Sequence, residues 1–264
     1  MLKIESLYKV FFPGTINEKV ALNHLDLTLK DGDFVTVIGG NGAGKSTLLN
    51  AVAGTFPVEG GSIHLDDIDL TGMPEYKRAK FLSRVFQDPM MGTAPTMQIE
   101  ENLAIAARRG KRRGLKWQID AKERSAYRVL LKDLDLGLED RLTTQTALLS
   151  GGQRQALTLV MATLQKPRLL LLDEHTAALD PKTAKNVLRL TQKIIDREGL
   201  TTLMITHNMK DALQFGNRLI MMNRGKIILD VSGEEKKNLT VVDLLRRFEA
   251  IAGDEEISDE MLLS

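Results

Sequence analysis

The chain has 264 residues, 43% hydrophobic and 27% charged, the balance of a folded globular protein with room for one large domain or a core with a subdomain. Its 36 Lys and Arg against 35 Asp and Glu leave a net charge of +1, which argues against a protein whose main business is coating nucleic acid or an anionic membrane. With no cysteine there is no disulfide framework, thiolate metal site or cysteine nucleophile, and no run approaches the roughly 18 apolar residues of a membrane span.

Leu25, Leu27 and Leu29 alternate with polar residues, the period of a half-buried strand, and Lys30-Asp31-Gly32-Asp33 turns the chain into the apolar run 34–38, a buried strand. After a glycine-rich loop, 46–53 has helical spacing and stops at Gly54, and Glu59-Gly60-Gly61 leads into a strand over 62–65. From about 97 to 165 the pattern is mostly helical, with Ile99, Leu103 and Ala106 on one face and Val129, Leu130 and Leu134 on another. Beyond Arg168 the elements alternate: strand 169–172, helix 182–197, strand 202–205, a short helix, strands 218–222 and 226–229 about the turn Asn223-Arg224-Gly225, and a last helix over 239–250 before the acidic end 254–260. This order predicts an α/β protein: a mostly parallel sheet with helices on its faces, an antiparallel hairpin and a helical subdomain.

Gly39-Gly40-Asn41-Gly42-Ala43-Gly44-Lys45-Ser46 fits the pattern G-x-x-x-x-G-K-[ST] and lies between a predicted strand and a predicted helix, the context a phosphate-binding loop requires. Glycines let successive N–H groups face phosphate oxygens, the helix start adds partial positive charge, Lys45 reaches the terminal phosphates, and the Ser46 hydroxyl can ligate Mg²⁺. Downstream, the strand Leu169-Leu170-Leu171-Leu172 ends in Asp173-Glu174, whose side chains point in different directions and can hold different jobs. Asp173 is placed for the Mg²⁺ shell and Glu174 to polarise a water at a γ-phosphate. Read alone, an apolar strand ending in acids is a strand meeting its loop; the phosphate loop upstream gives the pair its second meaning. Leu149-Ser150-Gly151-Gly152-Gln153 opens another predicted helix, which reads either as an ordinary N-cap or as a second anion-facing helix start.

With these motifs together the sequence resembles the ATP-binding-cassette family, whose signature sequence is LSGGQ, over roughly residues 2–229. The resemblance implies the family's ATPase fold, a RecA-like core over about 1–91 and 161–230, a helical subdomain over about 92–160, and a C-terminal helical extension with an acidic tail over 231–264. It implies ATP and Mg²⁺ as cofactors, bound by Gly39, Asn41, Gly42, Ala43, Gly44, Lys45, Ser46 and Thr47, with Ser46, Gln87 and Asp173 toward the metal. Glu174, His207 and Lys45 take the catalytic roles. Gln87 matches the Q-loop glutamine and His207 the switch histidine, and Ala178-Leu179-Asp180 resembles the D-loop. His175 stands where the family usually has proline, a departure that implies a looser loop with an added titratable group. Adenine stacks on an aromatic of the first strand, aligned with Phe11, with Tyr8 and Phe12 as rivals.

The resemblance further implies a head-to-tail dimer of the ATPase, or a pair with a related ATPase, in which Ser150, Gly151, Gly152 and Gln153 of one copy complete the other's ATP site. Partners are transmembrane permease subunits and an extracellular substrate-binding protein, with no nucleic acid, at the cytoplasmic face of the cell membrane. The whole chain is similar to the ATP-binding component of amino-acid uptake systems of the tryptophan/tyrosine type. An exporter or lipid/lipoprotein-extracting system, and a soluble ATPase of cluster assembly, remain the alternatives. Arg108, Arg109, Lys111, Arg112, Arg113 and Lys116 form a basic run beside Trp117, read as a solvated loop or a contact for anionic lipid headgroups.

Overall fold

The computed structural model describes residues 1–111 and 119–252. The chain forms two compact units. The first begins with strands β1 (Leu2–Phe11), β2 (Lys19–Leu29) and β3 (Phe34–Ile38), helix α1 (Lys45–Ala53), strands β4 (Gly60–Leu65) and β5 (Ile68–Asp69) and helix α2 (Glu75–Arg78). The second, Ala79–Glu198, holds β6 (Leu82–Val85), α3 (Ile99–Ala107), α4 (Ala121–Lys132), α5 (Gly151–Thr163), β7 (Leu169–Asp173) and α6 (Pro181–Glu198). From Gly199 the chain rejoins the first unit with β8 (Thr202–Ile205), α7 (Met209–Gln214), β9 (Arg218–Asn223), β10 (Lys226–Ser232), α8 (Gly233–Asn238) and α9 (Val241–Ala252).

In the first unit β1, β2, β4 and β5 make an antiparallel sheet in the order β2-β1-β4-β5. Its register sets Leu2 opposite Leu29 and Leu65, and Ile4 opposite Leu27 and Ile63, so one face is a continuous layer of buried aliphatic side chains. β3 pairs in parallel with β8 on one side and β9 on the other, and β10 runs antiparallel along β9. All five residues of β3 are buried, as a parallel strand covered on both faces requires. Within the described residues the last helix, α9, is packed on the first unit: Leu244 and Phe248 enter a core cluster with Ile38, Leu219 and Met221. The acidic end 254–260 lies outside the described residues.

In the second unit β6 and β7 pair in parallel, Leu82 with Leu169 and Val85 with Leu172. The helical region expected from 97 to 165 is divided. α3, α4 and α5 pack through Ile99, Leu103, Tyr127, Leu131, Leu157 and Val160, while irregular backbone between α4 and α5 adds Leu138 and Leu142 to the same core. Glu100 of α3 and Arg124 of α4 are joined by two hydrogen bonds, Nε to Oε2 at 2.7 Å and Nη2 to Oε1 at 2.8 Å, fixing one helix on the next.

Candidate functional site

In the first unit the loop 39–44 joins β3 to α1 and takes its shape from glycine. Gly39, Gly42 and Gly44 have φ of +150°, +78° and +102°. A Cβ on Gly39 would collide with the Met222 carbonyl oxygen, and one on Gly44 would stand 2.5 Å from the Ala21 carbonyl oxygen, so no other residue fits either position. Gly44 is the N-cap of α1 and has no side chain with which to satisfy the first N–H groups of the helix, the donors an anion uses. Lys45 is buried, and its Nζ donates to the carbonyl oxygens of Gly39 (2.6 Å) and Gly40 (3.1 Å), while Ser46 is exposed at the helix start. Two features escape sequence reasoning. Lys19 of β2 reaches over the loop, its Nζ 3.1 Å from where a Gly42 Cβ would be, and the Phe248 ring backs Gly40. Neither residue carries a motif, and only pairing and packing bring them there.

Of the three aromatic candidates at the end of β1, Tyr8 stacks on His24 with ring centroids 5.1 Å apart. Phe11 is half-buried, edge-on to Phe56 at 5.5 Å, and Lys9 Nζ lies 5.1 Å from its ring centre. Lys9 is held there by Glu59 Oε1 at 2.7 Å and the Pro57 carbonyl at 2.9 Å. Phe12 is exposed with φ +53°. His207 follows β8, half-buried, one residue before Asn208 caps α7 through the Asp211 N–H.

In the second unit Asp173 ends β7, and Glu174 follows with φ +45°, the left-handed region. Arg84 of β6 places Nη2 2.5 Å from Asp173 Oδ2, and its guanidinium lies 4.7 Å from the Phe86 ring centre. Nothing in sequence pairs Arg84 with Asp173; the one local signal is a charged residue inside the otherwise uncharged strand 82–85. Gln87 is exposed just past β6, and the Phe86 carbonyl accepts from Gln155 Nε2 of α5 at 3.4 Å. Ser150 caps α5 in a capping box: its Oγ accepts from the Gln153 N–H at 3.3 Å, and Gln153 Oε1 accepts from the Ser150 N–H at 3.2 Å. Two N–H groups at this helix start, those of Ser150 and Gln153, are therefore engaged in the cap itself. Gly151 and Gly152 allow 176–183 to close on the helix: a Cβ on Gly151 would sit 3.2 Å from Leu179 Cδ2, and one on Gly152 would meet Thr183 Cγ2.

His175 departs from its expectation. Instead of loosening the loop it is buried, with Nε2 3.0 Å from Thr191 Oγ1, and burial pushes its pKa down to about 4, so the ring is neutral at physiological pH. In the basic run, Arg108 pairs with Glu123 at 3.0 Å, and the half-buried Arg109 donates to Ser83 Oγ at 2.6 Å. Arg112, Arg113, Lys116 and Trp117 lie outside the described residues. Among the described residues no three His, Asp or Glu side chains gather as a metal cage. Ser46 in the first unit, and Gln87 and Asp173 in the second, each carry a side-chain oxygen, the donor type that Mg²⁺ takes.

The ABC transporter family model matches residues 22–177. The chain is 48% identical over 250 residues to a tyrosine transport ATP-binding protein of Clostridioides difficile, covering 94% of this chain and 99% of that one. It is 36% identical to the spermidine/putrescine import ATP-binding protein PotA of Haemophilus ducreyi over 85% of this chain, and spans 58% of that longer protein. Among solved structures it resembles a dimeric ATP-binding cassette in a post-hydrolysis state bound to ADP and Pi, with TM-score 0.74, 27% identity, and coverage of 88% of this chain and 98% of that one. It also resembles the ADP conformation of a cassette of an ABC transporter, with TM-score 0.76, 26% identity, and coverage of 96% and 99%. A phosphate loop on a strand–helix junction, an acid pair ending a strand and a capped LSGGQ helix thus stand in an ATP-binding cassette fold. The chain belongs to the ABC transporter family and is one of its ATP-binding, ATP-hydrolysing components.

Proposed function

We propose that this chain is the ATPase subunit of an importer of an aromatic amino acid of the tyrosine type. It works as a homodimer on the cytoplasmic face of a membrane, with separate permease subunits and an extracellular binding protein. The observation that carries the reading is the near end-to-end match to a tyrosine transport ATP-binding protein, 99% of whose length this chain spans. No helix among the described residues is long and apolar enough to cross a membrane, so in this reading other chains supply the passage.

The proposed roles follow the chemistry of each group. The glycine loop and Thr47 hold the phosphates, Lys45 turns its ammonium from the loop carbonyls to the β- and γ-phosphates, and Phe11 offers its ring to adenine. Ser46, Gln87 and Asp173 would hold Mg²⁺, which supplies charge neutralisation at the phosphates. Glu174 takes the proton of the attacking water as it approaches phosphorus, and His207 donates a hydrogen bond to a γ-phosphate oxygen. Ser150, Gly151, Gly152 and Gln153 serve the ATP held by the other copy. The core is taken as 1–91 with 161–230, and the helical part as 92–160.

The test is reconstitution. The chain is purified from membranes with its polytopic partner, placed in vesicles, and assayed for ATP-dependent movement of labelled tyrosine. Uptake that stops in Glu174→Gln supports the reading. Efflux, or recovery only with a soluble scaffold, overturns it.

A further inference from the structure

Glu174 has a backbone that a glutamate does not adopt freely. Its φ of +45° lies in the left-handed region, which costs a residue with a Cβ and persists only where the surroundings hold it. Both neighbours are held. Asp173, before it, is bound by Arg84 at 2.5 Å. His175, after it, is buried with Nε2 3.0 Å from Thr191 Oγ1, on the buried face of α6 with Val187, Leu188, Ile194 and Ile195.

The direction of that hydrogen bond can be assigned. Thr191 Oγ1 gives its single proton to the Val187 carbonyl at 2.9 Å, so toward His175 it accepts. His175 is therefore the neutral tautomer with its proton on Nε2. The contact ties the residue after Glu174 to a point deep inside the following helix and closes a loop over 175–191. Within that loop the Ala177 N–H meets the Glu174 carbonyl at 2.9 Å, the Leu179 N–H meets the Thr176 carbonyl at 3.1 Å, and Asp180 Oδ1 accepts from the Thr183 N–H at 3.1 Å. A proline at 175 would restrict the chain through its own ring; here a tertiary contact does so.

We propose that His175 and Thr191 are a positioning pair that holds Glu174 in its left-handed conformation and so aims its carboxylate for water activation. The inference rests on the reading of Glu174 as the base. A buried histidine serving packing alone would affect stability without separating kcat from KM, whereas a positioning pair acts on kcat, because the phosphate grip resides in residues 39–47.

The test uses the full-length ATPase at a temperature well below unfolding. Thr191→Val keeps the volume and removes the acceptor; kcat is expected to fall about tenfold with KM for ATP within twofold, the scale of a misaimed catalytic group. Thr191→Ser restores the acceptor and turns over within twofold of the parent. From the other side of the contact, His175→Gln keeps an N–H at the distance of Nε2 and retains turnover, while His175→Leu falls as Thr191→Val does. The doubly changed His175→Leu, Thr191→Val chain is no slower than either single change. Should Thr191→Val fail to fold, the His175→Gln and His175→Leu pair decides alone. Parent-like turnover in Thr191→Val, an equal fall in Thr191→Ser, or a change confined to KM overturns the proposal. Glu174→Gln is assayed alongside: if it too keeps full turnover, the reading of Glu174 fails, and if it is inactive while Thr191→Val is normal, only the positioning pair fails.

Discussion

At the scale of single residues, His175 and Glu174 sit side by side in the chain and answer to different forces. The buried His175 has its pKa lowered from 6.5 to about 4 by desolvation. Between those values the unfolded chain binds a proton that the native chain refuses, so stability falls as pH drops from 6.5 to 4, by up to about 3 kcal/mol. Urea midpoints of the nucleotide-free protein at pH 7 and pH 4.5 check this: His175→Leu should lose less over that interval than the parent, and equal losses would show that the ring protonates freely in the native state. Glu174→Gln should keep ATP binding and lower hydrolysis by about 10²- to 10⁴-fold, the contribution of a placed base. Near-normal turnover would remove Glu174 from the base role.

At the scale of elements, the junction of β3 and α1 depends on backbone shape more than on side chains. Gly44, at φ +102° with the Ala21 carbonyl 2.5 Å from any added Cβ, cannot accept a side chain without moving β2 or the helix start. Gly44→Ala should cost about 2–4 kcal/mol of stability and abolish nucleotide binding together. Thermal unfolding and a nucleotide titration on the same sample give both quantities, and a stable, binding variant would mean the loop is more plastic than its geometry states. This junction was legible in the sequence because glycine spacing, lysine and serine are contiguous. The division of the helical region was not: Leu138 and Leu142 bury irregular backbone as firmly as a helix would, and hydrophobicity alone does not distinguish the two.

At the scale of the whole molecule, the phosphate loop and the LSGGQ helix belong to different compact units of one chain. If Ser150 serves the other copy's ATP, then mixing Ser150→Arg chains with Lys45→Ala chains gives heterodimers with one doubly damaged site and one intact site. Each variant alone should be nearly inactive, and the mixture should regain part of the ATPase rate, or at least ATP-dependent dimer if hydrolysis needs two intact sites. A folded mixture that recovers neither would favour a self-contained ATPase in which Ser150 only caps its helix.

The sequence by itself determined what is written in contiguous residues: the phosphate loop 39–46, the acid pair 173–174, the LSGGQ helix start, and the α/β order of elements around them. Each is a short string whose chemistry depends on spacing along the chain, and spacing is what a sequence records. The tertiary structure decided the rest: that Arg84 grips Asp173, that Lys19 overhangs Gly42, that Phe248 backs Gly40, and that His175 is a buried neutral ring on Thr191 and not a loose titrating one. Those contacts join residues from 16 to more than 200 positions apart. Their energies come from desolvation and close packing, which exist only once strands have paired and helices have covered them.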